Sequence, residues 1–551
     1  MRKAWIITSI LLIFVLAACG GRLGGGHILG PIVSLEEDRS VYDQDTLTVL
    51  RLNVSVLPGG ATIEEVDADD DWRNPKKTTA LVQVEEPGNE FSDGSVLASA
   101  KLRIRGHSSR LAELKSYRIK LDNVNGNKVF WRNLRTIQLN KSPYDLTRLR
   151  AKLSFDFFKT LPNMTSIRTL FVHLFIDGVD YGLYTVLERG NEEFLKAHGL
   201  DDDGWLYKAE SFEFFRYPDQ LKNTTDPDYN EEAFESILEI RGERDNHTKL
   251  ISMLEEVNDL ENDINTVISE NFQIDNYLTW FATNIILEND DTNTQNFFLY
   301  NPTTSWGWYF LPWDYDGAWD FYGQPREAAG TPRPRWTEGV SNWWNVILHK
   351  RFLMAPGNID VLRAKVEELR SFYTETAAST MMNTYRDIAG DIITQNPDLD
   401  TLETLNATTP AERIEQWNTE VDRIPTVPEQ KYQEFIDTLQ RPMPVFLAAP
   451  VVGEDGTVAF AWDESFDFQG NAITYDFQIS NALTFDAGEI VFERLGRTET
   501  SIGVDPADIG PAGTYYFRVT IRDSEGNWQY PFDSIEVGDN LYDGMREFTL
   551  N

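Results

Sequence analysis

Residues Ile285 to Asp320 read IILENDDTNTQNFFLYNPTTSWGWYFLPWDYDGAWD. Phe297 to Tyr300 and Trp306 to Leu311 are short aromatic-rich runs joined by the polar turn Asn301 to Ser305, which is a hairpin pattern. A polar loop with Asp290, Asp291 and Asn296 precedes the first strand. A second loop with Asp314, Asp316 and Asp320 follows the second strand. A hairpin brings both loops to the same end. Carboxylates and an amide gathered there suit Mg²⁺ or Mn²⁺, which take oxygen ligands and keep positions for substrate phosphates. The competing reading is that each acid caps a turn, since Asp and Asn favour turns for local reasons.

The spacing narrows the chemistry. Asp291 and Asn296 stand as D-x-x-x-x-N, and Asp314 follows across the hairpin in Trp313-Asp314-Tyr315-Asp316-Gly317. Protein kinases use this order: an Asp base, an Asn five residues on that holds metal, and a later Asp on a short loop that also holds metal. D-x-x-x-x-N alone is weak, and no His-Arg precedes Asp291. An EF-hand fits less well, because Gly317 comes too early and no Glu stands at the twelfth position.

Met1 to Cys19 has a basic start, an apolar run from Trp5 to Val15 and the closing Leu16-Ala17-Ala18-Cys19. The run is too short for a membrane span and fits a secretion signal. Its end resembles a bacterial lipobox, which implies lipidation of Cys19 and a membrane anchor in the cell envelope. Cys19 is the only cysteine, so no intramolecular disulfide forms. Residues 20–30 hold six glycines and read as a flexible tether. At 551 residues and 41% hydrophobic, the chain has material for several cores. A net charge of -38 argues strongly against nucleic-acid binding, which needs a basic footprint. Six scattered histidines without C-x-x-C or H-E-x-x-H argue against zinc.

Residues 31–140 read mostly as strands, including Leu47 to Leu57 and Thr79 to Val84. Ala100 to Arg110 and Lys115 to Asp122 then flank a loop containing Arg105, Gly106, Ser108 and Ser109. Backbone N–H groups, hydroxyls and Arg105 there would face a phosphate, with Lys115 or Lys120 adding charge. An ordinary basic hairpin is the alternative. Asp145 to Leu161 patterns as an amphipathic helix, and a hairpin turns about Asp177-Gly178 and runs to Glu188. Residues 229–287 and 345–440 read as largely helical, with Trp336, Trp343 and Trp344 as packing residues. After Arg441-Pro-Met-Pro444 the pattern changes to short alternating strands, with Trp462 early and Tyr515 as a candidate tyrosine corner. This is the pattern of a fibronectin type III or immunoglobulin-like sandwich over 445–551.

Together these markers resemble the CotH kinase family of spore-coat, atypical secreted protein kinases. The resemblance rests on Arg105-Gly-His-Ser-Ser109, Lys115 to Lys120, Asp177 to Glu188, Gly204-Trp-Leu-Tyr-Lys208, Asn289 to Asn296 and Pro312 to Asp316. It implies an α+β, bilobal kinase-like domain over 31–440, with a β-rich lobe to about 190 and a helical lobe from 191. It further implies transfer of the ATP γ-phosphoryl group to Ser or Thr of a protein substrate. Asp291, or its neighbour Asp290, would act on the acceptor hydroxyl, and Asn296, Asp314 and Asp316 would hold metal. The 105–109 loop and Lys115 or Lys120 would contact phosphates, Glu188 would touch the nucleotide near the hinge, and Trp308 would stack on adenine. Two other readings stay open: a kinase-shaped lipoprotein without transfer activity that serves as an adhesin or scaffold, and a Ca²⁺-stabilised binding protein.

Overall fold

The computed structural model describes residues 35–71, 73–85, 96–326, 333–454, 456–538 and 540–550. The expected signal, Cys19 and the glycine tether lie outside the described residues.

Alternating sequence builds the first body. Strands β1 (Leu50–Val56), β2 (Thr78–Glu85), β3 (Val96–Arg105), β4 (Ser116–Leu121), β5 (Thr136–Asn140), β6 (Thr169–Ile176) and β7 (Val179–Leu187) form a closed barrel in the order β1-β2-β3-β4-β5-β7-β6. Neighbours are antiparallel except β1 and β6, whose parallel pairing closes the ring and leaves no free edge. Leu52, Val82, Leu102, Ile119, Ile137 and Val172 are fully buried inside it. The period of two then fixes the outer face. On β3 to β5 it carries Lys101, Arg103 and Arg105, Ser116, Arg118 and Lys120, and Thr136, Gln138 and Asn140.

Helix α1 (Arg150–Phe158) is shorter at its start than the sequence pattern suggests. The Asp145 carboxylate accepts from the backbone N–H groups of Thr147 (2.9 Å) and Arg150 (3.0 Å), and this local bonding turns residues 145–149 away from helix. The second body centres on a sheet of β8 (Trp205–Ala209), β9 (Leu238–Ile240), β10 (Phe297–Asn301) and β11 (Tyr309–Pro312), ordered β11-β10-β8-β9. Helix α2 (Ile274–Leu287) packs on it with every residue except Asp275 buried, as its nearly unbroken apolar sequence requires. Its Asn276 side chain bonds both the N–H (2.7 Å) and the carbonyl (3.1 Å) of Phe310, holding β11 as a neighbouring strand would. Helices α3 (Glu375–Ile393), α4 (Pro410–Arg423) and α5 (Val427–Thr438) are among the other helices of this body.

The expected hairpin forms with Phe297 opposite Pro312 and Tyr300 opposite Tyr309. Its second strand begins at Tyr309 rather than Trp306. The Trp308 backbone bonds instead to the Asn271 carbonyl (2.8 Å) and the Gln273 N–H (3.0 Å).

Beyond residue 444, one sheet holds Val451–Val452, Val458–Ala461 and Ser501–Val504. A second holds Ile490–Arg497, Thr474–Ser480, Gly513–Arg522, Trp528–Gln529 and Met545–Leu550. Phe460, Trp462, Phe477 and Phe517 form a core separate from the others, and the Tyr515 hydroxyl donates to the Pro511 carbonyl at 2.9 Å. This unit docks on residues 333–345. Trp336 meets Phe532 at 5.3 Å, Trp344 stacks on Phe466 at 5.6 Å, and the Arg335 guanidinium lies 4.0 Å over Trp528. Trp343 instead packs inward on Trp280 and Phe281.

A buried ionic knot joins the barrel to the segment that precedes it. Glu188, at the end of β7, is held by Arg168 (2.9 Å) and His198 (2.8 Å), and His198 also bonds Glu37 (2.7 Å). Burial depresses the His198 pKa, but Glu188 and Glu37 outweigh burial and hold it at about 9. A raised folded pKa stabilises fully below the unfolded value, near 6.5, and loses that contribution as pH rises through the folded value. The stability gap between the wild type and His198→Gln should therefore narrow between pH 6.5 and 9. Denaturant midpoints measured across this range check it.

Candidate functional site

The register of β10 and β11 places Asn296 beside Trp313, so the two acidic loops meet. Asn284 of α2 ties them together. Its side-chain oxygen accepts from the Thr292 hydroxyl (2.9 Å) in the first loop and the Tyr315 hydroxyl (2.8 Å) in the second. Gly317 lies so close that a Cβ there would stand 3.2 Å from Asp291 Cβ. The loops are also backbone-strained: Glu288, Asn296, Asp314 and Asp320 all have φ between 46° and 60°. Non-glycine residues rarely adopt that region, and such residues cluster at functional sites.

Asp291, Asp314 and Asp316 lie within reach of one another's charge in this junction. Burial, then Asp314, pushes the Asp291 carboxyl up to about 6. Burial, then Asp314 and Asp291, also raises Asp316. Mutual repulsion of this kind marks carboxylates that lack a balancing cation. The Asn296 amide donates to Asp291 Oδ2 (2.7 Å), which leaves its carbonyl oxygen open as a ligand. Asp314 has no hydrogen bond or ion pair among the described residues, and Asp316 has one long bond, from Asn140 at 3.4 Å. Among the described residues, no group of three or more His, Cys, Asp or Glu forms a ready-made metal cage. This donor set fits a cation that takes one or two carboxylates and an amide oxygen and shares the rest of its shell with phosphate and water.

Asp290 points elsewhere. Its carboxylate is held by Arg333 and by Asn342 (3.0 Å). Arg333 also binds Glu288 (2.6 Å), which Lys431 binds in turn (2.7 Å), and Arg423 binds Asp320. These pairs brace the acidic loops from behind and leave Asp291 as the carboxylate that faces Asp314.

The barrel supplies the opposite wall. Arg105, at the end of β3, lies in the field of Asp314 and Asp316, which supports its charge against burial. It makes no ion pair with either among the described residues. Gly106 has φ +88°, and a Cβ there would strike Ser109 Oγ, so the tight loop requires glycine. The side chain of Ser108 lies outside the described residues.

Three expected contacts are corrected. Lys115 Nζ donates to the carbonyls of Arg110 and Ala112, each at 2.7 Å, so it staples the loop and does not reach the cleft. The Glu188 carboxylate is only 3% exposed and fully engaged by Arg168 and His198. Trp308 is fully buried against Tyr207, at the end of β11 away from the acids, and offers no face to a base. Lys120 does lie exposed on the barrel's outer face. Lys208 of β8, the last residue of the Gly204 to Lys208 motif, acts on Asp291 through its charge. Arg103, Arg118 and Asn140 are brought to one face by the strand register, which the sequence does not display.

A family model described as CotH kinase protein matches residues 102–434. The chain belongs to this family. The match includes the 105–109 loop, both acidic loops and the ion pairs behind them. Over 233 residues the chain is 28% identical to the inner spore coat protein H of Bacillus subtilis (strain 168). That alignment takes in 41% of this chain and 60% of the relative's length.

Replacing Asn284 with Ala strands the buried Tyr315 hydroxyl and unties the two loops. The Thr292 hydroxyl keeps its bond to the Asn289 carbonyl (2.9 Å), so at about 1–3 kcal/mol for one buried group left unbonded, a loss of that size is expected. It should appear as a lowered urea midpoint with an unchanged slope.

Proposed function

We propose that the chain is an ATP-dependent protein kinase acting on Ser or Thr of a protein substrate outside the cytoplasm. The observation that carries this reading is the mutual charge effect of Asp291, Asp314 and Asp316, with Asn296 bonded to Asp291 and the unpaired Arg105 in the field of Asp314 and Asp316. The closed barrel followed by a helical body supports a bilobal arrangement with the nucleotide between the two. The family's kinase description and the spore-coat relative support the reaction class and a coat or envelope location.

In this reading Asp314, Asp316 and the Asn296 oxygen hold Mg²⁺ or Mn²⁺, which supplies neutralisation of charge on the transferred phosphoryl group. Asp291 takes the acceptor hydroxyl's proton. Its carboxyl is oriented by the amides of Gln295 (2.8 Å) and Asn296 (2.7 Å), so it is fixed before the acceptor arrives. Arg105 binds the phosphate chain from the barrel side. Cys19 anchors the chain to a membrane, and the C-terminal sheets form an immunoglobulin-like or fibronectin-like module.

The test needs no knowledge of the acceptor. ATP with Mg²⁺ or Mn²⁺ at a hundred times its Kd should stabilise the protein by about 2.7 kcal/mol. The rise in melting temperature should be larger with the metal than with ATP alone, and that metal-dependent increment should disappear in Asp314→Asn. Absence of any nucleotide shift in the folded wild type would reject the kinase reading in favour of a non-catalytic lipoprotein.

A further inference from the structure

The outer face of β3 and β4 pairs like charges directly across the strands. Lys101 stands opposite Lys120, and Arg103 stands opposite Arg118, while Arg105 stands opposite Ser116. Like charges in directly opposed positions destabilise a sheet. These residues run along one face, and alternate residues on a strand are about 7 Å apart. The row therefore leads away from Arg105, and so from Asp314 and Asp316, in two equal steps. Arg189, just past β7, and Arg241, just past β9, add their charges to the same place.

Arg103, Arg105, Arg118 and Arg189 are half-buried, and none has a hydrogen bond or ion pair among the described residues. Only Arg241 has a carboxylate partner, Glu239. Yet the chain carries 88 acidic residues against 50 basic ones. Four unpaired guanidinium groups side by side in such a chain are poorly explained by folding. Burial and the adjacent arginines both pull the Arg118 pKa down, which again shows uncompensated positive charge.

We propose that the Arg103–Arg118 pair with Arg105 and Arg189 forms a binding track for a linear phosphoanhydride chain. One end of that chain lies at Arg105, beside the carboxylates, and the other at Arg103 and Arg118. Guanidinium groups grip successive phosphates through paired N–H donors, so the track needs no divalent cation for binding. Both a nucleoside triphosphate and free inorganic polyphosphate offer this chemistry. The kinase reading enters only in setting which end carries the transferred group.

The test is calorimetric titration of the full chain in EDTA with inorganic tripolyphosphate, ATP and adenosine. Tripolyphosphate should bind, more weakly as salt rises, while adenosine alone should not. ATP binding tighter than tripolyphosphate identifies a nucleotide track; equal binding identifies a site for the phosphate chain itself. Arg103→Gln with Arg118→Gln should weaken tripolyphosphate at least tenfold. The same double variant, freed of like-charge repulsion, should melt no lower than wild type without ligand. Failure of tripolyphosphate to bind, or unchanged binding in the double variant, overturns the track. Intact tripolyphosphate binding without ATP- and metal-dependent phosphorylation would instead count against the kinase reading while leaving the track standing.

Discussion

The site depends on one buried amide. Asn284 sits on a helix enclosed on nearly every side, and it is 1% exposed. One oxygen takes a hydroxyl from each acidic loop, while its nitrogen donates to the Trp280 carbonyl at 2.9 Å and fixes the side chain's orientation. The carboxylates of Asp291, Asp314 and Asp316 repel one another, so the loops bearing them would part without a tie. Asn284 supplies it between neutral groups and leaves the carboxylates unspent. Ion pairs behind the loops, from Arg333, Arg423 and Lys431, hold Glu288, Asp290 and Asp320 in the same way. Charges are neutralised at the back of the site and left unneutralised at its front.

The barrel mirrors this arrangement with the opposite sign. Its interior is apolar and closed, so its stability does not depend on the outer face of β3 and β4. That freedom lets Arg103, Arg105 and Arg118 stand without partners at a modest cost. The alternation of side chains thus gives the core to one face of these strands and frees the other from any part in it.

The hairpin and its acids were legible because periodicity and turn residues are local signals. Barrel strands were legible for the same reason, and β6 with β7 turned at Asp177-Gly178 as the sequence suggests. What stayed hidden was tertiary. Nothing near Glu188 in sequence announces Arg168 or His198, and nothing near Trp308 announces the ring of Tyr207. Lys115 looked like a phosphate ligand until its loop curled back to meet it. Arg103 and Arg118 were in plain view within two alternating strands, but their opposition is a matter of register, which depends on how the intervening loop folds.

The sequence changes character at residue 444, yet the sheets beyond it clasp residues 333–345 with Phe466, Trp528 and Phe532. That same segment carries Arg333 and Asn342, the two residues that hold Asp290 one position from Asp291. The C-terminal sheets are thus connected to the first acidic loop through two ring–ring contacts, one guanidinium–ring contact and one short segment. The boundary in composition is therefore a packed joint, and a displacement of the C-terminal sheets bears on the residues that hold Asp290.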